Sequence, residues 1–302
     1  MPPSTAKAET SGPLAHARSL LFVPGDRPER MEKALGLGAD ALILDLEDAV
    51  AATAKAAART AVAARLAAPR VHGVALVVRV NAVGSPDLAD DLAAILPAAP
   101  DALLLPKTEG AASIDSLAAM AGALPSAPSP ILPPILALAA ETPDGLLDIG
   151  GLRRHAAALC GLTWGAEDLA TELGAAANRA DGDFTAPFRL ARSLALLTAA
   201  ACHVPAFETV YADFRDDEGL ARQAARAARD GFSGMLAIHP AQLPAINRAF
   251  TPDAAAVAHA RAVVAAFAAQ PQAGVLQVEG RMIDAPHLKQ AQAVLRRAGS
   301  RA

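Results

Sequence analysis

Four charged residues stand where short apolar runs end. They are Asp45 in Leu-Ile-Leu-Asp-Leu-Glu-Asp, Arg79 in Val-Val-Arg-Val-Asn, Glu141 in Leu-Ala-Ala-Glu-Thr and Asp168 in Trp-Gly-Ala-Glu-Asp-Leu. The runs suit buried strands of a parallel sheet, where core packing gives no reason for a charge. Several such ends gathered together describe the rim of an active site, here acidic enough to hold a metal ion. Glu141 follows a wholly uncharged stretch, which favours a metal ligand over an ordinary acid before a turn. Asp168 has a competitor in Glu167, since an extended chain points the two to opposite faces; helix capping is its plain alternative. Asp45 and Glu47 share a face by strand alternation and, with Asp48, are read as acids that hold Arg79 in position rather than as ligands. Lys107, ending Leu-Leu-Leu-Pro-Lys, is read as a positive charge near substrate or the acidic cluster. A Schiff-base lysine of a class I aldolase is the alternative there.

Two carboxylates with no nearby cysteine and no His-x-x-x-His pair suit Mg2+ or Mn2+ rather than zinc. Such an ion leaves coordination positions to water and substrate. A 2-oxo acid offers two oxygens, its carboxylate and its ketone. Polarising that carbonyl supports making or breaking the adjoining carbon–carbon bond.

The elements that must position these residues are legible as alternating β-type runs and helical stretches. Strands are expected near Leu20–Pro24, Ala41–Leu46, Val74–Val80, Ala102–Pro106, Pro134–Ala140, Leu162–Gly165, Ala206–Val210 and Met235–Ile238. Between them lie Ala-rich segments with helical spacing, such as Glu29–Leu37 and Glu218–Asp230. Strands alternating with helices imply right-handed βαβ units and a parallel sheet. The expected fold is therefore α/β, a (β/α)8 TIM barrel over residues 18–250 with a C-terminal helical extension over 251–302. An open doubly wound sheet is the competitor, but Pro24-Gly25-Asp26-Arg27-Pro28 is no glycine-rich phosphate fingerprint. In the extension, Asp253–Ala268 reads as a helix, Gly274 to His287 as a connecting segment, and a last helix starts at Leu288. Whether it folds over its own barrel or reaches a neighbouring subunit stays open at this point.

A chain of 302 residues, 53% hydrophobic, has ample material for one large core. Its net charge of −4 supplies no basic field for nucleic acid. Cys160 and Cys202 lack metal-ligand spacing and read as free thiols of a reduced, cytoplasmic protein. Residues 1–17 lack the apolar segment of an export signal and are expected to be a disordered tail. The uncharged run Ala121–Ala140 is broken by Pro125, Pro128, Pro130, Pro133 and Pro134, so no membrane span is expected.

The motifs Arg18-Ser-Leu-Leu-Phe-Val-Pro-Gly25, Asp45-Leu-Glu-Asp-Ala-Val50, Arg79-Val-Asn81, Leu105-Pro-Lys107, Glu141-Thr142, Gly165-Ala-Glu-Asp-Leu169, Ile238-His-Pro-Ala-Gln242 and Gly280-Arg-Met-Ile-Asp-Ala-Pro-His287 run in order along nearly the whole chain. Together they resemble the citrate lyase β-subunit (CitE-like) family of the HpcH/HpaI aldolase group, which includes malyl-CoA and citramalyl-CoA lyases. The resemblance implies a metal-dependent barrel that joins or separates a thioester α-carbon and a 2-oxo acid. It implies Glu141 and Asp168 as Mg2+ ligands, which decides between Glu167 and Asp168. It further implies Arg79 as a substrate-binding and charge-stabilising group, and Asp284 as an acid/base presented to a neighbouring subunit in a trimer. A helix cap is the plainer role for Asp284. Phe22, Arg30 and Lys33 occupy positions resembling CoA contacts, a solvated helix face being the alternative for the last two.

The leading expectation is a free-standing lyase acting on a CoA thioester and releasing a 2-oxo acid. The alternatives are the β-subunit of a multi-subunit citrate lyase with a carrier-bound substrate, a malyl-CoA thioesterase, and a non-catalytic binding protein on a barrel scaffold. The acyl group is not legible, because pocket depth depends on loop geometry.

Overall fold

The computed structural model describes residues 12–124 and 132–299. Most of the stretch expected as a tail, and Pro125, Pro128 and Pro130, lie outside the described residues. The described chain forms two compact units that divide between Asn247 and Arg248.

The first unit contains eight parallel strands: β1 (Ser19–Pro24), β2 (Ala41–Asp45), β3 (Ala75–Arg79), β4 (Ala102–Thr108), β5 (Ile135–Ala139), β6 (Leu159–Trp164), β7 (Phe207–Glu208) and β8 (Gly234–Ala237). Hydrogen bonding orders them β6-β5-β4-β3-β2-β1-β8-β7. The two ends of that order meet through a parallel bridge from Leu162 to Ala206, and Leu162 N donates to Pro205 O at 2.9 Å. The sheet is thus a nearly closed barrel, as the alternation predicted, and the open-sheet alternative falls.

Helices follow the strands: α1 (Pro28–Ala34), α2 (Lys55–Ala67), α3 (Leu88–Ile95), α4 (Gly110–Gly122), α5 (Pro143–Leu147), α6 (Ala166–Glu172), α7 (Ala186–Cys202), α8 (Asp217–Asp230) and α9 (Leu243–Ala249). The helix expected to reach Leu37 stops at Ala34, and the turn after it places Gly38 at φ +84°, a conformation that favours glycine. Gly231, at φ +113°, closes α8 in the same way.

Strand register explains the site. Pro24, Asp45 and Arg79 are hydrogen-bond-register neighbours at the ends of β1, β2 and β3. Two residues earlier, Phe22, Ile43 and Val77 share one layer of the barrel's inner cluster with Leu104, Leu136 and Leu236 close by. Since side chains alternate along a strand, Asp45 and Arg79 continue that inward layer where the apolar filling ends. At the other end, Leu14 and Ala17 are buried in the same cluster, so packing begins inside the stretch read as a tail.

The second unit comprises α10 (Ala254–Ala269), a hairpin of β9 (Val275–Val278) and β10 (Arg281–Asp284), and α11 (Ala285–Gly299). Asp253 caps α10, accepting from Ala256 N at 2.7 Å. The hairpin turns at Glu279 and Gly280, both at positive φ, as a two-residue connection requires. Val263, Val278, Ile283 and Ala291 form the unit's own small core. Among the described residues no helix is long and apolar enough to cross a membrane.

Candidate active site

The best-ordered part of the rim is a clamp on Arg79. Its Nε donates to Asp45 Oδ1 at 2.7 Å and its Nη2 to Asp45 Oδ2 at 2.6 Å, a two-pronged pair with both side chains buried. Asp45 also accepts from the N–H groups of Glu47 (2.9 Å) and Ala49 (3.1 Å). Its oxygens are therefore spent on Arg79 and on the loop after β2, leaving it no metal-binding role. Glu47 Oε2 lies 2.9 Å from Arg79 Nη1, and Glu47 Oε1 accepts from Lys107 Nζ at 2.6 Å. Asp48 is exposed, 3.9 Å from Arg79 Nη1 and 4.0 Å from Lys107 Nζ. The guanidinium carbon of Arg79 sits 4.8 Å from the centre of the Phe22 ring.

Burial opposes the charge on Arg79, but its bonds to Asp45 and the field of Glu47 and Asp48 outweigh that, and its pKa rises. The same contest, won by Glu47, raises the pKa of Lys107. Lys107 is thus held as a cation beside Glu47. Below the clamp, Lys55 Nζ ties together Leu46 O (2.7 Å), Glu47 O (2.9 Å) and Asn81 Oδ1 (2.7 Å). Asn81 in turn donates to Asp91 Oδ2 at 2.6 Å. Lys55 and Asp91 were not anticipated from the sequence.

The second feature is a pair of carboxylates. Glu141 follows Ala140, itself at φ +58°, and is 2% exposed. Its Oε2 accepts from the backbone N–H of Lys107 at 2.5 Å. Lys107 is at φ +47°, where β4 shifts register against β5 between Leu105 and Thr108. This kink turns the Lys107 N–H onto Glu141. On its other side Glu141 needs Gly165, because a Cβ there would lie 2.5 Å from Glu141 Cγ. Asp168, half-buried in the first turn of α6, lines the same cavity and acts on the Glu141 carboxyl. Glu167 instead is exposed and accepts from Asn178 Nδ2 at 2.9 Å.

Burial first, and the neighbouring Asp168 carboxyl second, push the pKa of Glu141 well above its ordinary value, against the Lys107 N–H. Two acids in contact, one of them buried, form an arrangement that a cation would neutralise. The donor set fits a hard divalent ion: oxygen only, at the edge of a cavity of about 300 Å3 lined by Phe22, Arg79, Leu138, Trp164 and Val210 as well. Among the described residues no group of three or more His, Cys, Asp or Glu side chains could hold a metal. An ion here would thus have two protein ligands and open positions for substrate.

The raised pKa predicts how metal-free protein responds to pH. Glu141 binds its proton more tightly folded than unfolded, so its contribution to stability is present at low pH and lost as pH rises through the folded value. After EDTA treatment, Tm between about pH 5 and about pH 8 should fall more steeply in the wild type than in Glu141→Gln. Saturating Mg2+ should remove the difference. Equal slopes without metal would contradict the assignment.

Other expected residues lie on other elements. Phe22 lies in the cavity beneath Arg79, whereas Arg30 and Lys33 are exposed on α1. Asp284 ends β10 in the second unit, with Oδ1 2.6 Å from His287 Nδ1. Gln242 serves the rim structurally: its Oε1 accepts from Ile238 N at 2.9 Å and its Nε2 donates to Tyr211 O at 2.8 Å. Cys160 and Cys202 are both buried, and burial pushes the Cys160 thiol up to about 12. Glu208 was missed. It ends β7 fully buried, accepting from Trp164 Nε1 (2.8 Å), Thr209 N (3.0 Å) and Arg192 Nε (2.5 Å).

Residues 18–240 match the HpcH/HpaI aldolase/citrate lyase family. The crystal structure of CitE from Mycobacterium tuberculosis in complex with magnesium, acetoacetate and coenzyme A is similar with a TM-score of 0.77 and 39% identity, covering 94% of this chain and 99% of that one. The (3S)-malyl-CoA thioesterase of Cereibacter sphaeroides is 36% identical over 289 residues, 93% of this chain and 94% of the relative. The mitochondrial citramalyl-CoA lyase of Rattus norvegicus is 33% identical over 290 residues, 92% and 85% respectively.

Proposed function

Since this chain belongs to the HpcH/HpaI aldolase/citrate lyase family, we propose that it is a Mg2+-dependent lyase that cleaves a 3-hydroxyacyl-CoA thioester of the malyl-CoA or citramalyl-CoA type into an acyl-CoA and a 2-oxo acid. The observation that carries this reading is the Glu141–Asp168 pair beside the Arg79 clamp in one cavity. Glu141 and Asp168 would hold the magnesium ion, which would supply a Lewis acid beside the bound substrate.

The chain's own groups do the rest. The Lys107 N–H and Gly165 fix Glu141 in place. Arg79, kept charged and positioned by Asp45 and Glu47, lines the cavity, where it stabilises negative charge on the oxo-acid or enolate oxygen. The substrate hydroxyl proton passes to solvent water, the oxygen's electron pair becomes the carbonyl of the oxo acid as the carbon–carbon bond breaks, and the pair of that broken bond forms the thioester enolate. That enolate needs a proton on carbon, which Asp284 of a neighbouring copy in a trimer supplies. Phe22, Arg30 and Lys33 contact the CoA, the two cations meeting its phosphates. The buried free thiols suit a reducing compartment such as the cytoplasm.

Asp284→Ala should lower turnover by about 10²–10⁴-fold while Mg2+ affinity stays near normal. Parallel loss of metal binding, read by calorimetry, would remove Asp284 from the acid/base role. The function itself is tested by incubating the protein with malyl-, citramalyl-, β-methylmalyl- and citryl-CoA and following both products by mass spectrometry. Release of an oxo acid with intact acyl-CoA is expected and names the substrate. Free CoA without oxo acid would favour thioester hydrolysis, the activity named for the relative from Cereibacter sphaeroides. No turnover of any of them would favour a carrier-bound substrate.

A further inference from the structure

Beside the barrel mouth, α7, α8 and the short hairpin of Arg179–Ala180 with Asp183–Phe184 enclose a second cavity of about 100 Å3. That is the share of about three waters in the liquid. Four of its lining residues are arginines: Arg179, Arg192, Arg222 and Arg226. Such convergence of like charges opposes folding unless something compensates it.

The acids nearby are already engaged. Both oxygens of Glu208 are taken by Trp164, Thr209 and Arg192. Asp216 accepts from Tyr211 Oη (2.5 Å) and Gly219 N (2.8 Å). Asp183 pairs with Arg226, Glu218 with Arg222 and Asp230 with Arg192, so three of the four arginines are matched by acids. Among the described residues Arg179 has no carboxylate within ion-pair distance; it donates to the amide oxygen of Gln223, and its guanidinium stacks 3.8 Å from the Phe184 ring centre and 5.2 Å from that of Tyr211. Desolvation lowers the pKa of Arg179 against the opposing fields of Tyr211, Glu208, Glu167 and Asp183. Arg192 adds a second signal: its Nη2 is buried without a hydrogen-bond partner. A buried donor left so costs free energy that an acceptor in the cavity would recover.

We propose that this cavity is a binding site for a small oxyanion of phosphate size and charge, held between Arg179, Arg192, Arg222 and Arg226. Guanidinium forks match the paired oxygens of such an anion. The site is separate from the Glu141–Asp168 cavity but mechanically joined to it. Arg192 bonds Glu208, Glu208 bonds the indole of Trp164, and Trp164 lines the catalytic cavity. An anion drawing on Arg192 therefore bears on a wall of the active site.

Trp164 is the chain's single tryptophan, so the relay carries its own reporter. Inorganic phosphate titrated into the full chain, without metal or thioester, should change its tryptophan fluorescence saturably. Arg179→Met should weaken the apparent affinity by about tenfold or more. Arg222→Gln, at an exposed side chain whose loss leaves the fold intact, should weaken it measurably and decides the matter if Arg179→Met does not fold. A crystal grown without phosphate and then soaked in it should show the anion between Arg179 and Arg226. No response in the wild type would mean that water alone fills the cavity and would overturn the proposal. A response indifferent to both substitutions, or density at Arg79 instead, would overturn it equally.

Discussion

Glu141→Gln should lower Mg2+-dependent turnover by about 10³-fold or more while leaving the metal-free protein as stable as the wild type or more so. The loss follows because ligand-derived Lewis acidity is worth several kcal/mol, and each ~1.4 kcal/mol is a factor of ten. The stability follows from the same geometry. In metal-free protein Glu141 is a buried acid facing a second acid, and its raised pKa records how poorly that place suits a carboxylate without a cation. Gln keeps the shape and still accepts from the Lys107 N–H through its amide oxygen. Asp168→Asn should lower activity comparably, with less effect on stability because Asp168 is only half-buried. A Glu141→Gln protein that loses activity only by unfolding would show that Glu141 is a packing residue.

Arg79→Met should be the most destabilising single change at the rim, by about 3–5 kcal/mol in denaturant unfolding. The substitution preserves much of the side chain's bulk but leaves Asp45 buried without its cation and Glu47 with Lys107 alone. Arg79→Lys separates charge from shape. One ammonium cannot reproduce the two-pronged contact with Asp45, so it should recover part of the stability and little of the turnover. If Arg79→Lys restored full activity, the fork would have no catalytic function.

Much of this site was legible because a charge at the end of an apolar run is costly without a purpose. Asp45, Glu47 and Arg79 could be read as one constellation, and the structure brings them into contact because strand alternation and parallel register do so. The choice between Glu167 and Asp168 was not legible from alternation, because both lie in the first turn of α6, where successive side chains diverge by helical geometry rather than pointing to opposite faces. Glu208 carried the same signal as the others, an acid within Ala-Phe-Glu-Thr-Val, but its partners Trp164 and Arg192 are distant in sequence. The kink at Lys107 left no trace, since nothing in Leu-Pro-Lys-Thr announces a left-handed lysine. The hairpin of β9 and β10 was read as mere connection, although Glu279-Gly280 between two alternating segments is a turn signal.

The account rests on Glu141 and Asp168 holding one divalent ion that takes an oxo acid into its shell. Electron paramagnetic resonance of Mn2+ titrated into the wild type, Glu141→Gln and Asp168→Asn measures this directly. The prediction is one tightly bound ion per chain in the wild type, a spectrum that changes when pyruvate is added, and marked loss of binding in both variants. Mn2+ bound equally well in all three, or a bound ion indifferent to pyruvate, would contradict it.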